Sequence, residues 1–267
     1  MRTIAHLSDL HFGRHDEAAA ESLLISIREA HPDIIVITGD LTQRGRRAQF
    51  TSARAFLDEL PPPILVVPGN HDVPLYDLVE RFMGRLARYR HYISSELQPF
   101  FVDDEIAVLG LNTARSATFA NGRISHEQAR AIRTVFAGVP ADRFRILATH
   151  HPLVAPLPAA NSAVVGRAAM AREAVMQAGV QLVLAGHHHR SFSGGLPVSD
   201  LVAARSILVV QAGTAISTRL RAEPNSYNLL RLEQNHLSCT VLVLREGRFV
   251  NAETAEYSCA GERWTRQ

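Results

Sequence analysis

The sequence predicts an α/β protein built as a four-layer αββα sandwich, two mixed β-sheets stacked face to face with helices outside both. Three observations predict it. Short β-branched or Leu-rich runs alternate with amphipathic stretches through about residue 190, the pattern of a largely parallel sheet with helical crossovers. After about residue 200 the texture turns all-β. Those last strands need an apolar surface to cover, and a second sheet stacked on the first supplies it within one unit. We therefore expect residues 1–267 to form a single domain, with a C-terminal β-rich part (about 205–260) completing the second sheet. A separate C-terminal β domain is the alternative.

In chain order, strands are expected over residues 3–7, 34–38, 64–67, 106–111, 144–148 and 182–185, each a short apolar run bounded by polar residues, glycine or proline. Helices fill the gaps. Residues 18–30 and 48–60 carry apolar side chains at helical spacing, and Ser125-His126-Glu127-Gln128 has the form of a capping box opening a helix that runs to Phe136. Leu75, Leu78, Val79, Phe82, Met83 and Leu86 make a further apolar stripe, with Arg81, Arg85 and Arg88 off it, and are expected in the core. The all-β part reads as strands at 207–212, 228–232, 236–244 and 248–257, with Glu246-Gly247 as a turn. Pairing symmetrically about that turn sets Cys239 opposite Thr254 and leaves Cys259 five residues out of register, so no disulfide is expected.

Composition narrows the function classes. All 28 basic residues are arginine, set against 26 acidic ones for a net charge of +2, and they are spread along the chain. Without a basic stripe, a long nucleic acid is not an expected partner. No apolar stretch approaches the roughly 20 residues of a membrane span. Met1-Arg2-Thr3 runs through Ile4-Ala5-His6-Leu7 to a charged Asp9 with no apolar signal core, so a cytoplasmic location is expected.

Histidine carries the chemical signal. Seven of the 13 histidines fall at four places: His11, His71, the pair His150 and His151, and the run His187, His188 and His189. Asp9-Leu10-His11 follows the first strand, Gly39-Asp40 the second, Gly69-Asn70-His71-Asp72 the third, Thr149-His150-His151-Pro152 the fifth and Gly186-His187-His188-His189 the sixth. Each group lies just past the carboxyl end of a strand, the edge where α/β sheets bind ligands, so five loops should meet at one crevice. Carboxylates, imidazoles and an amide oxygen, with no thiolate, suit Mn²⁺, Fe²⁺/Fe³⁺ or Zn²⁺ rather than Ca²⁺ or a sulfur-bound structural zinc. The seven candidates Asp9, His11, Asp40, Asn70, His150, His187 and His189 are too many for one tetrahedral ion. They fit two ions sharing a bridging carboxylate, the arrangement that clamps both attacking and leaving oxygens at phosphorus.

Taken together, Asp9-x-His11, Gly39-Asp40, Gly69-Asn70-His71-Asp72, His150 and Gly186-His187-x-His189 resemble the complete signature of the calcineurin-like metallophosphoesterases, over residues 9–189. Ser8-Asp9-Leu10-His11, Gly39-Asp40-Leu41-Thr42 and Pro68-Gly69-Asn70-His71-Asp72 are most similar to the bacterial branch containing class III cyclic-nucleotide and glycerophosphodiester phosphodiesterases. The fold implied is the αββα sandwich. The resemblance implies one metal held by Asp9, His11, Asp40 and His189, and a second held by Asp40, Asn70, His150 and His187. It further implies attack on phosphorus by a hydroxide between the metals, with His71 as proton donor or transition-state stabiliser and Asp72 orienting His71. One departure is Thr149, where many members have glycine before the histidine.

Substrate contacts are expected from residues near these loops. Arg44, Arg115 and Arg190 could fork onto a phosphate oxygen. Asn112 and Arg115, just past strand 106–111, are the preferred pair, and His151 is a further candidate; neither His151 nor His188 is a ligand in the family pattern. The expected activity is metal-dependent hydrolysis of a small or nucleotide-like phosphodiester. A pyrophosphohydrolase or phosphomonoesterase with the same site is the alternative. A non-catalytic scaffold is disfavoured, because all seven ligand positions and His71 are present.

Overall fold

The computed structural model describes the chain except residues 75, 76, 78, 79, 81, 82, 85, 116–120, 155–163, 189–191, 196–206, 220–222, 234 and 262. The strands β1 (Arg2–Leu7), β2 (Ile34–Thr38) and β3 (Ile64–Val67) run parallel at one side of a seven-stranded sheet. That sheet is completed by β10 (Ser226–Glu233), β11 (His236–Arg245), β12 (Arg248–Ala260) and β13 (Arg263–Arg266), all antiparallel, in the order β13-β12-β11-β10-β1-β2-β3. The second sheet contains β4 (Phe100–Val102), β5 (Ile106–Leu111), β6 (Phe144–Thr149), β7 (Leu182–Ala185), β8 (Phe192–Gly195) and β9 (Leu208–Gln211), in the order β4-β5-β6-β7-β9-β8.

The six strands expected before residue 190 therefore do not share a sheet. After β3 the chain crosses to the second sheet, and it returns to the first only at β10, which pairs with β1 from Arg2↔Leu232 to His6↔Asn228. The 207–212 run belongs with β7, not with the C-terminal hairpins. Sequence could not assign these partners, because strands buried on both faces read alike whichever neighbour they take.

Alternating side chains fill three apolar layers. Ile4, Ile34, Val36, Leu65 and Val67 meet Ile106, Val108, Ile146, Leu184 and Val210 between the sheets. On the outer face of the first sheet, Ala5, Leu7, Ile35 and Ile37 pack against α1 (Glu17–Ala30), α2 (Arg47–Glu59) and α3 (Ala87–Tyr92). Ala107, Leu109, Leu147 and Val183 do the same for α4 (His126–Ala137) and α5 (Ala168–Gln177) on the second. The four layers are α, β, β, α.

Two local readings need correction. Cys239 faces Ala255, not Thr254, because a bulge at Val241/Leu242 shifts the β11–β12 register by one; neither cysteine is in a disulfide. Of the apolar stripe, Leu86 is buried but Met83 is 86% exposed, since the helical run is interrupted at Gly84 before α3 begins at Ala87. Leu75, Leu78, Val79, Phe82, Arg81 and Arg85 lie outside the described residues. Among the described residues, no helix is long and apolar enough to cross a membrane.

Candidate metal centre

The loops beyond β1, β2, β3, β6 and β7 meet at one end of the sandwich, and their backbones are forced into unusual shapes to do so. Asp9 (φ 55°), His11 (51°), Asp40 (53°) and His187 (74°) all adopt the left-handed conformation, which costs a side-chain-bearing residue roughly 1–2 kcal/mol. Main-chain hydrogen bonds hold them there. Asp9 N donates to Gly39 O at 3.1 Å, His11 N to Asp40 O at 2.9 Å and Phe12 N to Leu41 O at 2.8 Å, so the first two loops zip together in register. His187 N donates to Asp9 Oδ2 at 3.1 Å, tying the last loop to the first across the two sheets. Two glycines make the approach possible. A Cβ on Gly69 would lie 2.1 Å from Asp40 Oδ1, and one on Gly186 would lie 1.8 Å from Ser8 Oγ.

Two groups of ligating atoms result. In the first, His11 Nε2 stands 3.5 Å from Asp9 Oδ1 and 3.8 Å from Asp40 Oδ2, all three side chains buried. The second centres on His150 Nε2, which is 3.1 Å from Asn70 Oδ1, 3.3 Å from His187 Nδ1 and 3.4 Å from Asp40 Oδ2. Asp40 Oδ2 thus lies between the two groups. His150 Nδ1 donates to Thr38 O at 2.7 Å, which fixes the tautomer and turns the Nε2 lone pair toward the others. Lone pairs of Asn70, Asp40 and His150 converging in a buried space require a positive centre among them. These oxygen and nitrogen atoms fit a borderline transition-metal ion in each group.

The ionisation behaviour agrees. Burial alone would raise the Asp40 carboxyl, yet the imidazoles of His150, His71 and His11 hold it well below the usual carboxylate range. Burial opposes charge on His150, but Asp40, by charge and hydrogen bond, and then Asp9 raise it to about 9. Burial, reinforced by His150, lowers His187 to about 3. Without metal, the cluster therefore holds its positive centre as a proton on His150.

His71 and Asp72 divide their work differently from the expectation. His71 N donates to Asp40 Oδ1 at 2.8 Å, and its Nδ1 is held by Gln43 O at 2.7 Å. Asp72 does not orient that ring. Its Oδ1 accepts from Thr42 N (2.8 Å) and Thr42 Oγ1 (3.0 Å), and its Oδ2 from Gly69 N (2.9 Å) and Leu41 N (3.2 Å). The buried carboxylate pins the second loop to the third, and burial together with Asp40 raises it to about 6 against those hydrogen bonds.

The substrate-side candidates also shift. Asn112 is buried, its Oδ1 accepting from Ala114 N at 2.9 Å to turn the chain after β5. Arg115 directs its guanidinium to Asn112 O and Ala114 O in the loop after β5 and to Gln128 Oε1 in the first turn of α4. His151 is 1% exposed, with Nδ1 2.7 Å from Thr113 Oγ1, and stands against His187 with ring centroids 4.6 Å apart. Burial removes it from a surface open to substrate. Arg44 is exposed in the loop that carries Gln43, and Thr149 is buried with its hydroxyl on His151 O at 3.0 Å. His189 and Arg190 lie outside the described residues. The sequence reading missed Gln43 and Thr38, which act through main-chain carbonyls and so leave no mark in the side-chain pattern.

Fold and site together define a two-sheet α/β sandwich with two groups of His and Asp side chains at one end that could hold metal ions. The chain belongs to the calcineurin-like phosphoesterase family, whose model matches residues 2–191. It is 29% identical over 238 residues to a cAMP/cGMP dual specificity phosphodiesterase of Mycobacterium tuberculosis, covering 82% of this chain and 69% of that one. It is 36% identical over 81 residues to a glycerophosphodiester phosphodiesterase of Enterobacter lignolyticus, a match spanning 26% of this chain and only 29% of the relative. Among solved structures, a purple acid phosphatase from yellow lupin seeds superposes with a TM-score of 0.72 at 12% identity, over 95% of this chain and 53% of that one. A dimetal phosphatase from Danio rerio gives 0.67 at 14% identity, over 94% and 98%. These two share the fold.

Proposed function

We propose that this chain is a metal-dependent phosphodiesterase acting on a small or nucleotide-like phosphodiester. The observation that carries the reading is the Asp40 carboxylate, within 3.8 Å of His11 Nε2 on one side and 3.4 Å of His150 Nε2 on the other. Asp9, His11, Asp40 and His189 would hold one ion, and Asp40, Asn70, His150 and His187 the other. When bound, two ions supply charge stabilisation at the phosphoryl oxygens and an activated nucleophile. The remaining work falls to the chain itself. His71, with Nδ1–H committed to Gln43 O, presents Nε2, which in the imidazolium form would pass its proton to the departing oxygen and leave the ring neutral. Asp72 keeps His71 in reach by pinning its loop to the Asp40 loop. The pairing of β10 with β1 supports one domain as the unit that carries all of this.

A diester is favoured over a monoester by charge. Near neutral pH a diester carries −1 and a monoester close to −2, and Arg115, the preferred cation for that extra charge, is turned onto Gln128. The M. tuberculosis and E. lignolyticus relatives, both named phosphodiesterases, support the same choice. The test is kcat/KM of the Mn²⁺-reconstituted protein on bis(p-nitrophenyl) phosphate and p-nitrophenyl phosphate, which share a leaving group. The diester should be the better substrate; preference for the monoester would replace this reading with a phosphomonoesterase.

A further inference from the structure

We infer that His6 is a positioning residue for the metal centre: acting through Thr38, it fixes the main-chain carbonyl that holds His150. The inference rests on the proposed role of His150 as a metal ligand. His6 lies on β1, wholly buried, on the face that looks into the gap between the sheets. Its neighbours in that layer, Ile4, Ile34 and Val36, are apolar. A histidine in such a place is costly unless its hydrogen bonds are all made.

They are made in one self-consistent order. Thr38 Oγ1 donates to Leu7 O at 3.2 Å, so its oxygen is left to accept from His6 Nε2 at 3.0 Å. His6 therefore carries its proton on Nε2. Its Nδ1 accepts from Asn228 Nδ2 at 3.4 Å, and the other hydrogen of that amide goes to Gln211 O at 3.0 Å. A second proton on the ring would face the Asn228 NH₂ group, donor against donor, and burial accordingly lowers His6 to about 3. The chain of bonds runs from β9 in one sheet through β10 and β1 to the last residue of β2 in the other. There the Thr38 carbonyl receives His150 Nδ1 at 2.7 Å, with Ser8 Oγ 3.0 Å away. Ser8 has one hydrogen, which goes to Asp9 Oδ2 at 2.6 Å, leaving the carbonyl to His150. One residue, Thr38, is thus braced by His6 on its side chain and aims His150 with its main chain.

The experiment uses the whole chain, stripped with chelator, and reads Mn²⁺ affinity by calorimetry alongside thermal unfolding of the metal-free proteins. Losing an outer hydrogen-bond partner of a metal ligand weakens binding by about 10- to 100-fold; His6→Leu and Thr38→Val keep the Thr38 carbonyl and remove only its brace, so we expect a loss at the lower end, about 10-fold, for each. His6→Gln, whose amide can still donate to Thr38 Oγ1, should stay within about threefold of the parent. The double variant His6→Leu/Thr38→Val should bind no more weakly than either single one, since both remove the same contact. If His6→Leu does not fold, Thr38→Val and His6→Gln still carry the comparison. Parent-like Mn²⁺ affinity in Thr38→Val and His6→Leu overturns the inference, as does a Gln variant no better than the Leu one. A parent chain that binds no Mn²⁺ overturns the metal-centre reading, and this inference with it.

Discussion

His71 separates a proton donor from a turn residue, and the leaving group makes the difference measurable. A p-nitrophenolate departs unaided, whereas an alkoxide needs a proton. General acid catalysis is worth ~10²–10⁴-fold. We expect His71→Ala to keep its metal, to lose modest activity on p-nitrophenyl diesters, and to lose at least about tenfold more on diesters with alkyl leaving groups. Equal losses on both, with chemistry rate-limiting, would assign His71 to the phosphoryl oxygens instead. Gly69 makes a second residue-scale case. Its missing Cβ leaves room for Asp40 Oδ1, which a methyl would meet at 2.1 Å. Gly69→Ala should therefore displace the shared carboxylate and reduce bound metal below one ion per chain by elemental analysis; a variant with the parent's metal content would show that the loop yields without cost.

At the scale of elements, caps and turns are legible in the local sequence and strand pairings are not. The capping box forms as the sequence predicts: Ser125 Oγ accepts from Gln128 N at 3.1 Å, and Gln128 Oε1 from Ser125 N at 3.0 Å. Gln128 also donates to Asn112 O at 2.6 Å, joining the first turn of α4 to the loop after β5. Ser125→Ala should therefore lower stability by about 1 kcal/mol, read as a drop in the denaturant midpoint with unchanged m. An unchanged midpoint would mean that the Gln128 bonds alone hold that turn. The Glu246-Gly247 turn was equally legible, and both residues take positive φ as a tight hairpin requires. The bulge beyond it was not, since an extra residue in one strand leaves the alternation of its neighbours nearly intact.

For the whole molecule, metal and proton compete for the same buried space. His150 is raised from 6.5 to about 9 by Asp40 against the opposing effect of burial. A raised folded value means that its stabilising contribution is complete below pH 6.5 and disappears as pH rises to 9. The metal-free chain should lose thermal stability across that window, and His150→Gln should lack that component of the loss; a parent curve flat between those values contradicts the pairing with Asp40. Because an ion requires the neutral ring, its affinity should rise over the same range and its binding release protons. Elemental analysis of the reconstituted parent should find about two transition-metal ions, and Asp40→Ala fewer, because one carboxylate serves both groups. One ion or none in the parent removes the dinuclear reading.

Local sequence accounts for the layer architecture, for the described strands other than β4, β8 and β13, and for six of the seven ligand candidates that stand together, because each of those ligand residues sits just past an apolar run whose end is local information. It also marked His71, by the turn residues around it. Tertiary structure decided what depends on distant partners: that the chain leaves the first sheet after β3 and rejoins it at β10, that Asp72 clamps two loops while Gln43 holds the His71 ring, and that Arg115 and Asn112 serve the start of α4. The physical reason is the same in each case. Apolar periodicity and turn chemistry act within a few residues, whereas the aim of a main-chain carbonyl such as that of Thr38 or Gln43 exists only once strands far apart in sequence have packed.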